Sequence, residues 1–116
     1  MAKVANFDSI RRIIAREGVD RRVFSGKNST VVMNEIQASA CPAIHSHPHE
    51  QITYILLGEC EFYLGDETIR MSKGDVVLVP SNVKHGLRPL GDTPILNLDV
   101  FSPIREDYLV STGDDL

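Results

Sequence analysis

Apolar and polar residues alternate with a period of two along most of this chain. Over residues 30–37, Val32, Asn34 and Ile36 fall on one side and Val31, Met33 and Glu35 on the other, as in a pleated strand with two distinct faces. Residues 52–57 are a β-rich run closed by Gly58, and residues 61–64 alternate and stop at the turn signal Gly65-Asp66. Residues 68–71 lead to a second turn, Gly74-Asp75, followed by the run 76–79 that Pro80 ends. Residues 95–101 alternate again before Pro103, with Asn97, Asp99 and Phe101 on one face and Leu96, Leu98 and Val100 on the other. Short strands with turn signals at this spacing predict an all-β antiparallel barrel or sandwich. One helical pattern precedes them, over about residues 8–17: Asp8 or Ser9 caps it, Ile10, Ile13 and Ile14 share one side, and Gly18 ends it.

Composition narrows the class. A chain of 116 residues, 42% apolar and 24% charged, is expected to be one globular domain, 1–116, without extensive disorder. The strand pattern places its core at about 28–102 and a C-terminal tail at 103–116, whose acidic end Gly113-Asp114-Asp115-Leu116 is expected to fray. A net charge of −4 argues against nucleic acid as the main partner. No apolar run is long enough for a bilayer span, and the N-terminus lacks a signal-peptide core, so no membrane partner and a cytoplasmic location are expected. Cys41 and Cys60 have neither CxxC nor zinc-finger spacing and are expected to be reduced thiols.

Four histidines carry the chemistry. Three stand in His45-Ser46-His47-Pro48-His49, and His85 follows a separate strand and turn. Imidazole is a ligand for mid-to-late transition metals. In an extended chain His45, His47, His49 and Gln51 share one parity, so several of them can converge on a point inside a barrel, with His85 arriving from another strand. Pattern alone leaves a second reading open, in which the cluster is a solvated loop or an incidental surface chelate.

The spacing around the histidines resembles the two signature stretches of the cupin superfamily. Here they read HSHPHEQITYILLG, with six residues between Gln51 and Gly58, and GDVVLVPSNVKH, with Gly74, Pro80 and His85. The resemblance implies a double-stranded β-helix, or jelly-roll barrel, with a short N-terminal helix. It also implies one divalent metal ion per chain (nickel, zinc, iron, manganese or cobalt) held by His45, His47, Gln51 and His85. Ser39 and Asn82 stand where glycines are expected, and Gln51 stands where the usual glutamate ligand would be. Glu50 is out of register with Gly58 and points away by pleat alternation, and Pro48 turns His49 towards the pocket edge. Three imidazoles and an amide leave the metal charge uncompensated, which suits an anionic substrate and Lewis-acid chemistry more than oxygen activation.

A closer resemblance extends beyond these stretches. HSHPHEQ, the downstream His85, the upstream VDRRVFSG from Val19 and the C-terminal DVFSPIRED are similar to the KdgF family of cupins, which open the ring of unsaturated uronic acids released from pectin and alginate. That resemblance implies a metal-dependent isomerase with Asp99 and Arg105 as catalytic residues. Phe101, Asn97 and His49 would line the substrate pocket. On pattern alone Asp99 and Arg105 also fit an ordinary ion pair, with Phe101 as barrel filling. The alternatives are a metal-dependent cupin dioxygenase on the same histidines and a non-catalytic sugar-acid binding cupin. The polar Asn97-Asp99 face favours an enzyme, and no helix-turn-helix pattern is present. Arg21-Arg22 could help to bind an acidic sugar, but reads first as a solvated edge or a dimer contact. An exposed sheet edge on so small a barrel, together with the resemblance, predicts a homodimer.

Overall fold

The six alternating or β-rich runs all become strands, and three further strands join them. In chain order they are β1 (Ile13–Arg16), β2 (Val19–Ser25), β3 (Thr30–Ile36), β4 (Glu50–Leu57), β5 (Glu59–Leu64), β6 (Glu67–Met71), β7 (Val76–Val79), β8 (His85–Leu90) and β9 (Ile95–Ser102), followed by helix α1 (Glu106–Thr112). The computed structural model describes residues 2–112, with side chains through residue 109. The acidic end expected to fray therefore lies outside the described residues, and the rest of the expected tail contains α1.

Six strands form an antiparallel sheet in the order β1-β2-β3-β9-β4-β7, and three form a second in the order β6-β5-β8. The expected jelly-roll barrel is thus two open sheets packed face to face, without a continuous closed ladder. Val19, Ile36, Ile55, Val79 and Ile95 from the larger sheet meet Cys60, Phe62 and Met71 from the smaller. Burial of each large aliphatic or aromatic side chain here contributes about 1.5–3 kcal/mol. A second cluster, Val23, Val32 and Phe101, lies under Tyr108 and Leu109 of α1, so the C-terminal helix covers part of the larger sheet.

The N-terminal helix expected over about residues 8–17 does not form. A 3-10 turn, Phe7–Ser9, is capped by the Asn6 side chain, which accepts from the Asp8 N–H, and it ends where Ile10 is extended. The chain then enters β1 and pairs with β2, matching Ile13 to Arg21 and Ile14 to Asp20. A helix of this length gains little once nucleated, whereas β-branched isoleucines fit a pleat and find an available edge. Ile14, expected on the same face as Ile10, is instead 73% exposed while Ile10 is buried.

Register aligns the interior of the larger sheet into rows. Arg21, Asn34, Asn97 and Ile55 stand opposite one another across β2, β3, β9 and β4. The next row is Val23, Val32, Asp99 and Thr53, and the one after it Ser25, Thr30, Phe101 and Gln51. Directly paired residues point to the same face, so a polar stripe crosses an otherwise apolar interior. It borders a cavity of about 260 Å³ between the sheets, lined by His45, Gln51, His85, Asn97, Asp99 and Phe101 among others.

Candidate metal centre

Backbone hydrogen bonds bring the histidines together. His45 and His85 form an isolated antiparallel bridge: the His45 N–H donates to the His85 carbonyl at 3.0 Å and the His85 N–H to the His45 carbonyl at 2.9 Å. The Asn82 N–H donates to the His47 carbonyl at 2.8 Å. Asn82 holds φ at +66°, a left-handed conformation that asparagine tolerates and most residues avoid. The histidine loop before β4 is thereby tied to the turn before β8. The ring centroids of His85 lie 4.4 Å from those of His45 and 4.8 Å from those of His47. One ligand nitrogen from each of the three rings lies within 4.8 Å of the others.

Each of these rings is oriented by its other nitrogen. Nδ1 of His45 bonds the Ala43 carbonyl (3.1 Å), Nδ1 of His47 the His49 carbonyl (3.0 Å), and Nδ1 of His85 the Val83 carbonyl (2.9 Å). A carbonyl only accepts, so each Nδ1 carries the proton and each neutral ring presents the lone pair of Nε2, the arrangement metal-ligating histidines use. Burial lowers the pKa of His47, and the charge of Arg105 adds to that effect. Burial pushes His85 down to about 4, against the opposing bond to Val83. His85 Nε2 is buried and has no hydrogen-bond partner.

Gln51 completes the group. Its side-chain nitrogen donates to Thr53 Oγ1 at 2.8 Å and to Asp99 Oδ1 at 3.1 Å, which fixes the amide orientation. Its Oε1 then faces His47 Nε2 at 3.0 Å. Two lone pairs oppose each other at that distance unless the imidazole takes a second proton or a cation lies between them. Burial and the neighbouring positive charge work against the second proton. The donor set therefore fits a cation held by three imidazole nitrogens and an amide oxygen. Glu50, adjacent in sequence, is exposed.

Asp99 is fully surrounded. Its Oδ1 accepts from Thr53 (2.6 Å), Asn97 (3.0 Å) and Gln51 (3.1 Å), and its Oδ2 accepts from Asn34 (2.7 Å). Burial raises its pKa and outweighs these four stabilising bonds. Arg105 does not pair with it. The Arg105 guanidinium makes a two-pronged bond to Asp107, at 3.1 and 2.8 Å, and lies over the rings of Phe101 (4.7 Å) and Tyr108 (3.9 Å). The Asp99–Arg105 ion pair that pattern allowed is therefore absent. Phe101 packs edge-on to His47, with centroids 5.5 Å apart, and forms a wall of the cavity. His49 is half-buried beside His47 and Phe101 and lies outside the three-histidine group. Its Nδ1 is buried without a partner.

Asn34, Thr53 and Tyr108, which were not singled out from sequence, also line the cavity, and so does Arg21, which was expected at a solvated edge or dimer contact. Asn34 and Thr53 carried a signal, because each is polar at the parity of an inward stripe. Tyr108 carried none: it follows the last strand in a short helix without an apolar period.

Residues 32–101 match the family described as Cupin domain. The structure is similar to an RmlC-like cupin from Shewanella frigidimarina, with a TM-score of 0.84 and 24% identity over 93% of this chain and 96% of that one. It is also similar to KdgF from Halomonas sp., with a TM-score of 0.81 and 30% identity over 88% of this chain and 95% of that one. In sequence, an uncharacterized protein of Streptomyces coelicolor is 25% identical over 89 residues, 77% of this chain and 84% of that protein. The matched segment holds the three convergent histidines, Gln51 and Asp99 together, and on that match the chain belongs to the cupin domain family.

Proposed function

We propose that this cupin is a metal-dependent isomerase that opens the ring of 4,5-unsaturated uronic acids to the open-chain keto-aldehyde acid. The observation that carries the reading is the Gln51 amide, whose oxygen joins the histidine nitrogens while its nitrogen holds the buried carboxyl of Asp99. A neutral ligand set is thus coupled directly to a proton-transfer group on the cavity wall. The 30% identity to KdgF from Halomonas sp. supports the same reading.

Opening the ring moves a proton from the anomeric hydroxyl to the carbon at the far end of the ring double bond. The bond between the anomeric carbon and the ring oxygen breaks, an aldehyde forms, and the ring oxygen becomes a ketone through an enolate. There is no net oxidation or reduction. A bound metal supplies Lewis-acid stabilisation of the negative oxygen. Asp99 takes the hydroxyl proton and returns it to carbon. Its Oδ1 is filled by three donors and its Oδ2 accepts one, so Oδ2 has the capacity for that proton. Arg105 contributes fixed positive charge: burial opposes that charge, but Asp107 and Tyr108 more than offset it. Its Nη1 remains without a partner and can donate to a substrate carboxylate. None of the four candidate ligands is a carboxylate, which weighs against the dioxygenase alternative.

The test follows the ultraviolet absorbance of an unsaturated uronate, which disappears when the ring opens. The expected result is loss faster than the spontaneous rate, abolished by chelation and by His85→Ala and lowered at least about 100-fold by Asp99→Asn, the general acid–base contribution. Fully metallated protein that leaves the spontaneous rate unchanged would sink the assignment. The proposal includes a homodimer, supported by the exposed apolar side chains Ile52, Tyr54, Val76 and Leu78 on the outward face of β4 and the open edge strand β7.

A further inference from the structure

Arg21 is a charged residue on the inward face of β2, between the buried side chains of Val19 and Val23. Its neighbours show how unusual that placement is. Arg12 pairs with Asp20 at 3.4 Å and Arg22 with Asp8 at 3.7 Å, both towards solvent. Arg21 forms no ion pair among the described residues, and its Nε is buried without a hydrogen-bond partner. It lines the cavity. Its guanidinium carbon lies 3.8 Å from the centroid of Tyr108, and that of Arg105 lies 3.9 Å from the same ring. Two guanidinium groups are therefore held by one aromatic ring. Asp107 neutralises Arg105, while Asn34, directly opposite Arg21 in register, donates its amide proton to Asp99.

A cation facing inward without a counter-ion is costly in a purely structural role. Stacking on Tyr108 offsets part of that cost and holds the planar fork rigid. It leaves the N–H groups unspent.

We infer that Arg21, stacked on Tyr108 beside Arg105, is a second carboxylate-recognition residue of the cavity, strengthening the preference of this cupin for sugar acids over neutral sugars. The inference rests on the ring-opening reading for the identity of the sugar acid, but not for the existence of the anion subsite. The fork reads two carboxylate oxygens at once, a bidentate geometry that the charge of a metal on His45, His47, His85 and Gln51 would not supply. Arg21 acts on binding, and Asp99 on proton transfer.

The experiment measures calorimetric binding of D-galacturonate, its methyl ester and D-galactose to the protein and to Arg21→Gln and Arg21→Lys, with circular dichroism as the check on folding. Wild type is expected to prefer the acid. Arg21→Gln is expected to weaken galacturonate about 10- to 100-fold, the loss of a charge-assisted hydrogen bond, with galactose unchanged and Arg21→Lys intermediate. In turnover of an unsaturated uronate, the same variant should raise KM and change kcat little. Equal wild-type affinity for the acid and its ester would overturn the inference whatever the variants do, as would a folded Arg21→Gln that binds galacturonate like wild type. Arg21-dependent binding without turnover would keep the subsite and remove the ring-opening reading. Turnover with KM indifferent to Arg21 would do the reverse.

Discussion

Gln51 is a glutamine for a reason visible at the scale of single atoms. Its nitrogen must donate to Asp99, and a carboxylate in its place would set an acceptor 3.1 Å from Oδ1. Gln51→Glu therefore creates a buried like-charge pair, one member of which must keep its proton. The metal-free variant is expected to lose about 1–3 kcal/mol of stability in urea unfolding, the cost of a buried group left unsatisfied. Gln51→Glu/Asp99→Asn removes the like-charge pair but sets an amide donor against Asn97 and Thr53, or against Asn34, so the double variant should recover only part of that loss. Additive losses would show that the pair is not coupled. Gly58 gives a second residue-scale expectation. It holds φ at +90°, and a Cβ there would stand 2.6 Å from the Pro94 carbonyl oxygen and 2.8 Å from Ile95 Cδ1. Gly74 has a similar φ of +95° with nothing near an added Cβ. Both glycine-to-alanine variants carry left-handed strain of about 1 kcal/mol or more. Only Gly58→Ala adds a clash, so its urea midpoint should fall further.

At the scale of elements, β5 shows what alternation does to a reactive group. Cys60 and Phe62 turn inward and Glu61 and Tyr63 lie on the other face, while Arg88 of the paired strand β8 closes over Glu61. Burial, assisted by the charge of Asp75, pushes the Cys60 thiol up to about 11. Cys41 lies exposed in the loop after β3. Since the thiolate is the reactive form, a thiol reagent at neutral pH should modify one equivalent, at Cys41, and reach Cys60 only after denaturation. Rapid modification of both would contradict the packing of β5. Helix α1 is the other informative element: it brings Tyr108 over Phe101, with Arg105 just before its first turn beside the same ring, and so joins residues beyond the last strand to the cavity.

At the scale of the whole molecule, charge and shape point in different directions. The chain is acidic overall, at −4, yet among the described residues the cavity lining carries two cations, Arg16 and Arg21, against the single carboxyl of Asp99. An anionic ligand is thus favoured locally, against the net field. Among the described residues no helix is long and apolar enough to cross a membrane. The outward apolar face of β4 and β7 should bury itself against a second copy of the chain. Light scattering is expected to give twice the chain mass, and Ile52→Lys/Leu78→Lys should shift it to a monomer. A monomeric wild type at micromolar concentration would remove the dimer.

Much of this was legible in the sequence because local periods are set by local stereochemistry. A period of two gives strands at 30–36 and 95–102, and a short apolar run one at 76–79, whatever they pair with, and the spacing of His45, His47, Gln51, Gly58 and His85 marks a cupin. The same alternation separated Asn97, Asp99 and Phe101 from Leu96, Leu98 and Val100. Local pattern does not say which face lies inside. Tertiary structure decided that β9 sits between β3 and β4, turning its polar face inward, where Thr53, Gln51 and Asn34 satisfy Asp99. It also decided that residues 13–16 extend along β2 rather than coil, because an edge partner offered hydrogen bonds that a short isolated helix could not match. Arg21 faces the cavity and Arg105 pairs with Asp107 rather than Asp99 for the same reason. Register between distant strands comes from long-range packing, which one-dimensional alternation does not encode.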